Sequence, residues 1–154
     1  MEPDIRLINV MDNQEALQVL SLQLSSYRVE AEVIGFPELP PLKDNFATLR
    51  ESGETFCGCY AAEQLTGCTA YKRAGDAVEI CRMMVHPDYF RRGIARALLT
   101  FVEEQEADAR VFSVNAVISN YPAVLLYGGL GYQPGEQWEI TSGITMAKYT
   151  KVVY

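Results

Sequence analysis

This sequence predicts a mixed α/β fold, one sheet with helices on both faces, and three observations carry the prediction. Apolar residues recur at helical spacing before residue 30. Three β-type runs separated by tight polar turns fill 55–85. Strand and helix patterns then alternate to the end. With 154 residues, 49% of them hydrophobic and 21% charged, the chain makes one domain, 1–154, that buries roughly two thirds of its unfolded surface.

Ile5–Val10 reads as the first strand. Asp12-Asn13-Gln14-Glu15 has the form of a capping box, and Leu17, Leu20, Leu24 and Tyr27 follow at helical spacing, so a first helix is expected to about Tyr27. Arg28–Pro41 mixes acids, Gly35 and prolines and reads as a loop or broken helix; Leu42, Phe46 and Leu49 mark a short second helix that Ser52-Gly53 stops. Thr55–Ala62, Thr66–Lys72 and Ala77–Val85 form an antiparallel meander. Gly93–Ala107 is the strongest helix, with Ile94, Leu98, Phe101 and Val102 on one face. Arg110–Val117 is a strand, Pro122–Leu130 a short helix with Pro in its first turn and Gly131 at its stop, and Gln137–Thr141 and Ile144–Tyr149 close the sheet.

Charge and composition exclude several classes. Thirteen Lys plus Arg against 20 Asp plus Glu leave a net charge of -7, so the basic footprint of a nucleic-acid binder is missing. No apolar run is long enough for a membrane span, and Met1-Glu2-Pro3-Asp4 carries acids where a secretory signal has basic residues, so a cytoplasmic protein is expected. Cys57, Cys59, Cys68 and Cys81 lie in β-type runs and read as reduced packing thiols. With His86 the one histidine, no tetrahedral ligand set forms and no metal is expected.

The informative stretch runs from Glu79 to Leu99. A strand ends, a polar turn containing Pro87 follows, and a helix opens at Gly93 among Arg91, Arg92 and Arg96. Free N–H groups at a helix start form an anion site, Gly93 and Ala95 allow close approach, and the arginines supply charge, so a diphosphate suits the loop. The alternative is a tight turn beside a solvated basic face. Neither a Walker loop nor the Gly-x-Gly-x-x-Gly dinucleotide fingerprint is present.

Phe90-Arg91-Arg92-Gly93-Ile94-Ala95 resembles the Gln/Arg-x-x-Gly-x-Gly/Ala loop of the GNAT superfamily of acetyl-CoA-dependent N-acetyltransferases. Asn120 through Tyr132 resembles that family's Asn-x-x-Ala-x-x-x-Tyr-x-x-x-Gly-Phe signature. Phe90 stands where the family carries a polar residue, and Gly128-Gly129 replaces a polar pair.

The resemblance implies a mostly antiparallel sheet splayed between the fourth and fifth strands. It also implies acetyl transfer from acetyl-CoA to a primary amine of a small or amino-acid-like acceptor. The cofactor would lie on the backbone of Met83, Met84 and Val85, on Arg91, Arg92, Gly93, Ile94, Ala95 and Arg96, and on Asn120, whose other reading is a helix cap. Tyr127 would protonate the leaving thiolate, or else pack in the core. Glu79 would act as base through water, or else face solvent. His86 reads as structural. Tyr27, Arg28, Glu30 and Phe36 are expected around the acceptor, in a lid from Tyr27 to Leu42. The competing class is a non-catalytic acyl-CoA sensor or protein-interaction domain of the same fold. The oligomeric state is open, a homodimer included.

Overall fold

The computed structural model describes residues 3–35 and 44–153. Its elements run β1 (Asp4–Ile8), α1 (Asn13–Ile34), α2 (Phe46–Glu51), β2 (Thr55–Ala61), β3 (Gln64–Ala74), β4 (Ala77–Val85), α3 (Ile94–Gln105), β5 (Val111–Val117), α4 (Tyr121–Gly129), β6 (Gln133–Thr141) and β7 (Ile144–Val152). One seven-stranded sheet has the order β1-β2-β3-β4-β5-β7-β6. Every neighbouring pair is antiparallel except β4 with β5.

That parallel pair is short. It runs from Ala77 opposite Val111 to Ile80 opposite Val114 and stops. Beyond it β4 stays paired with β3 as far as Val85 opposite Gly67, while β5 stays paired with β7 as far as Val117 opposite Met146. The two strands therefore diverge into a wedge. The divergence begins where β4 takes an extra residue: Tyr71 opposes Ile80 and Ala70 opposes Arg82, leaving Cys81 as a bulge that turns the rest of the strand.

Each face of the sheet has its own core. On one, Leu98, Leu99 and Val102 of α3 and Tyr127 of α4 pack with Val78, Ile80, Phe112 and Val114. On the other, Ala16, Val19, Leu22 and Tyr27 of α1 and Leu49 of α2 pack with Phe56, Ala70 and Met84. Bulged Cys81 flips the alternation of β4, so that Met83 faces the α3 layer and Met84 the α1 layer.

Three expectations need correction. The first helix does not end at Tyr27: it runs to Ile34, where Gly35 adopts a left-handed conformation (φ 72°) and its N–H bonds to the carbonyl of Ala31. Arg28 and Glu30 are thus helical residues and not parts of a lid loop. The buried stripe of α1 is Ala16, Val19, Leu22, Gln23, Tyr27, Ala31 and Ile34, whereas Leu17 and Leu24 face outward. The penultimate strand begins at Gln133, not Gln137, with an irregularity between Pro134 and Gln137. Among the described residues no helix is long and apolar enough to cross a membrane.

Candidate functional site

The wedge between β4 and β5 opens into a cavity of about 770 Å³ bounded by five elements. The turned end of β4 gives Cys81, Arg82, Met83 and Val85, and β5 gives Val114 to Val117. The start of α3 gives Arg91, Gly93, Ile94, Ala95 and Arg96. Asn120, Ala123 and Tyr127 come from the α4 segment, and Ser26, Tyr27, Val29, Glu30 and Val33 from α1. Spacing of 26, 29, 30 and 33 is one helical face, present at the cavity only because α1 continues past Tyr27.

Local backbone explains the basic end. A 3-10 turn at Pro87–Tyr89, capped by the His86 ring accepting from Asp88 N–H, leads into Arg91 (φ 63°) and Gly93 (φ 76°). Gly93 is the N-cap of α3 and provides no side-chain acceptor, which leaves the first N–H groups of that helix free for an anion. A β-carbon placed on Gly93 would meet no atom within 4 Å, so glycine is required there by its left-handed backbone and not by crowding. Arg91 and Arg96 line the cavity; Arg92 instead stacks 4.9 Å above the Tyr89 ring.

At the α4 side, Tyr127 packs its ring against Tyr132 and Tyr149, with centroids 6.0 and 6.1 Å away. Its hydroxyl has no hydrogen-bond partner among the described residues, where no fully buried side-chain polar atom is left unpaired. The hydroxyl therefore opens to the cavity. Burial first, then the Glu30 carboxylate, pushes the Tyr127 phenol above its ordinary range. Asn120 caps α4 by accepting from Ala123 N–H at 3.4 Å and gives its amide to Glu30 Oε1 at 3.0 Å. Burial raises the Glu30 carboxyl, and the Asn120 bond opposes that rise.

Glu79 lies elsewhere. Its exposed side chain borders a second depression of about 420 Å³ with Ser113, Asn115, Glu136, Trp138 and Lys148. Asn115 lines both hollows, so they adjoin at the divergence of β4 and β5. Of the other expected residues, Met84 turns its side chain into the α1 core, Arg28 is exposed on α1 away from the cavity, and Phe36 lies outside the described residues.

Sequence reasoning missed two contributors. Ser26 Oγ accepts from Val85 N–H at 3.2 Å, beside Tyr27, whose hydroxyl accepts from Met83 N–H at 3.2 Å. Arg82 reaches into the α1 layer, where it binds Glu54 through Nε (2.9 Å), Asp44 through a terminal nitrogen (2.6 Å), and Gln23 Oε1 (2.9 Å). No local pattern signals either, because both join segments tens of residues apart.

Comparison with known proteins identifies the family and the fold. Residues 52–134 match the family model described as an acetyltransferase (GNAT) domain. The chain is 34% identical over 146 residues to the UPF0157 protein YqkA of Bacillus subtilis, covering 93% of this chain and 43% of that protein, so it spans less than half of its relative's length. Among solved structures it resembles the ribosomal-protein-S18-alanine N-acetyltransferase of Escherichia coli. There the TM-score is 0.75 at 16% identity, over 97% of this chain and 92% of that one. It also resembles the PaiA N-acetyltransferase of Thermoplasma acidophilum in complex with coenzyme A, with TM-score 0.69 at 14% identity over 96% and 98%.

Proposed function

The chain belongs to the GNAT acetyltransferase family, and from that premise we propose that it transfers the acetyl group of acetyl-CoA directly to a primary amine of a small or amino-acid-like acceptor. One observation carries the reading: a single cavity is bordered by a glycine-opened, arginine-flanked helix start, by a strand freed from its neighbour, and by an unpartnered tyrosine hydroxyl. These features suit the diphosphate, the amide-bearing arm and the thioester of one extended molecule. The donor set fits as well: free helix N–H groups and Arg91 and Arg96 for phosphates, and main-chain N–H groups of β4 for carbonyls.

The residues then divide the work. The amine nitrogen attacks the thioester carbonyl carbon, the C–S bond breaks, and the nitrogen loses a proton. The Val85 N–H would steady the negative charge on the carbonyl oxygen, a contribution that grows in a site closed to water. Tyr127 would give its proton to the departing sulfur. Glu79 would receive the amine's proton through water from the adjoining depression, with Asn115 at the junction. Tyr27 and Glu30 border the same cavity on the α1 side and would meet the acceptor.

The test is release of free thiol from acetyl-CoA by the purified chain across an amine panel, with CoA binding followed by calorimetry. Amine-dependent release supports transfer. CoA binding with no release for any amine would point to the non-catalytic acyl-CoA sensor. Gly93→Val, which forces a β-branched residue into a left-handed backbone beside the phosphate site, should abolish binding. Unchanged affinity would remove the loop from the cofactor site.

A further inference from the structure

The edge of β4 that turns toward the wedge is already occupied. Its two N–H groups there, those of Met83 and Val85, donate to the Tyr27 hydroxyl and to Ser26 Oγ, each at 3.2 Å. One turn further along α1, Glu30 takes the side-chain amide of Asn120 at 3.0 Å. A single helix therefore bonds to both rims of the wedge, β4 on one side and the N-cap of α4 on the other. The two N–H groups of β4 are the ones that the reading above gives to the cofactor's carbonyls, whereas the Asn120 amide carries two hydrogens and can serve Glu30 and a second acceptor together.

An N–H group carries one hydrogen, and a second acceptor can share it only by weakening the first bond. We propose that Ser26 and Tyr27 form a latch: in the free protein α1 holds the two β4 donors of the cofactor slot, and entry of the CoA arm exchanges those bonds for bonds to itself, releasing this stretch of the helix from the slot. This rests on the proposal that CoA lies along β4. The helix is suited to the exchange because its second half ends at a glycine cap and faces the cavity along 26, 29, 30 and 33. Once released, the Tyr27 hydroxyl becomes free at the same cavity. An amine thus meets the free Tyr27 hydroxyl only after the cofactor is in place.

The sign of the effect is opposite to that of an ordinary ligand contact. Removing a bond made only in the free protein destabilises that state alone, so CoA should bind more tightly to Ser26→Ala and to Tyr27→Phe. The expected gain is about two- to tenfold for each, one net hydrogen bond's worth. Calorimetry with CoA on the full chain reads this, and thermal unfolding of each variant checks that it remains folded. Hydrogen exchange on the unmodified chain gives a readout that needs no variant: amides of residues 26–34 should exchange faster when CoA is added. Affinity that is unchanged or lower in both variants, or exchange in 26–34 that CoA leaves unaltered, overturns the latch while the cofactor site stands. Absence of CoA binding by every form, the unmodified chain included, overturns the cofactor reading and the latch with it.

Discussion

Glu30 Oε1 accepts the side-chain amide of Asn120 at 3.0 Å, a contact between residues 90 apart that ties the first helix to the cap of the last. The partner is neutral, and among the described residues Glu30 makes no salt bridge. A carboxylate taken from water with one amide for compensation is costly in its charged form, which is why burial raises its proton affinity.

The linkage that follows has a definite sign. In the unfolded chain Glu30 titrates at an ordinary glutamate value, and in the folded protein above it. Within that window the folded state binds the proton more strongly, so its contribution is fully present below the unfolded value and is lost as pH rises through the folded one. Glu30→Gln keeps an acceptor for Asn120 and never ionises. It should be more stable than the unmodified chain at pH 7, with the gap closing toward about pH 4. Thermal unfolding across that range decides it; a less stable variant at pH 7 would mean that the charged bond to Asn120 outweighs the burial.

Arg82 is the counterpart, a charge fully compensated. Its guanidinium is 10% exposed, against 6% for Glu54 and 15% for Asp44, and it joins α1, the approach to α2 and the start of β2 to the strand that borders the wedge. Arg82→Leu leaves two enclosed carboxylates without their cation and should cost about 3 to 5 kcal/mol. Urea unfolding measures it; a loss below about 1 kcal/mol, a typical exposed pair, would show that Asp44 and Glu54 regain water.

Gly67 sets how closely α3 approaches the sheet. A β-carbon there would sit 2.5 Å from Ile94 Cγ2, 3.2 Å from Leu98 Cδ1 and 3.4 Å from the Met84 carbonyl oxygen. Ile94 follows Gly93 directly, so Gly67→Ala displaces the start of α3 and the arginines around it. Overpacking of this kind costs about 1 to 3 kcal/mol. Denaturation should show that loss and calorimetry a weaker CoA complex; full stability would mean that the helix shifts outward freely.

What the sequence disclosed and what it hid follow from the range of the interactions. The meander, the glycine-opened helix and the Asn120 cap are governed by neighbours a few residues away, and each lies where its local pattern points. The orientation of α1 is not local. Leu17 and Leu24 look like its core face, yet Ala16 and Gln23 are buried instead. Gln23 is held there by Arg82, 59 residues away, and an apolar moment cannot register a glutamine buried by a hydrogen bond. With the helix turned that way, Ser26 and Glu30 face the wedge. Their partners, 59 and 90 residues distant, are invisible to any window. Charged Arg28, Glu30 and Glu32 also disguised the continuation of the helix, because they lie on a stretch whose inward side needs only Tyr27, Ala31 and Ile34.

Tyr127 separates a catalytic reading from a packing one with a single atom. Its ring is held between Tyr132 and Tyr149 and is 4% exposed, which alone would make it a core residue. Its hydroxyl, unpartnered among the described residues and facing the cavity, is what a core residue does not need. With burial and Glu30 both raising its proton affinity, Tyr127 holds its proton at neutral pH. In the proposed reaction it would pass that proton to the departing thiolate. The same shift makes the transfer more uphill than from an ordinary tyrosine, which places its benefit at the lower end of the 10² to 10⁴ range typical of general acids. Tyr127→Phe retains the ring and its neighbours. Turnover should fall about 100-fold with CoA affinity unchanged, while the melting temperature stays close to that of the unmodified chain, since no bond within the protein is lost. Single-turnover measurement, where chemistry limits the rate, is the appropriate assay. Undiminished turnover there would leave the thiolate to take its proton from water and return Tyr127 to the aromatic core.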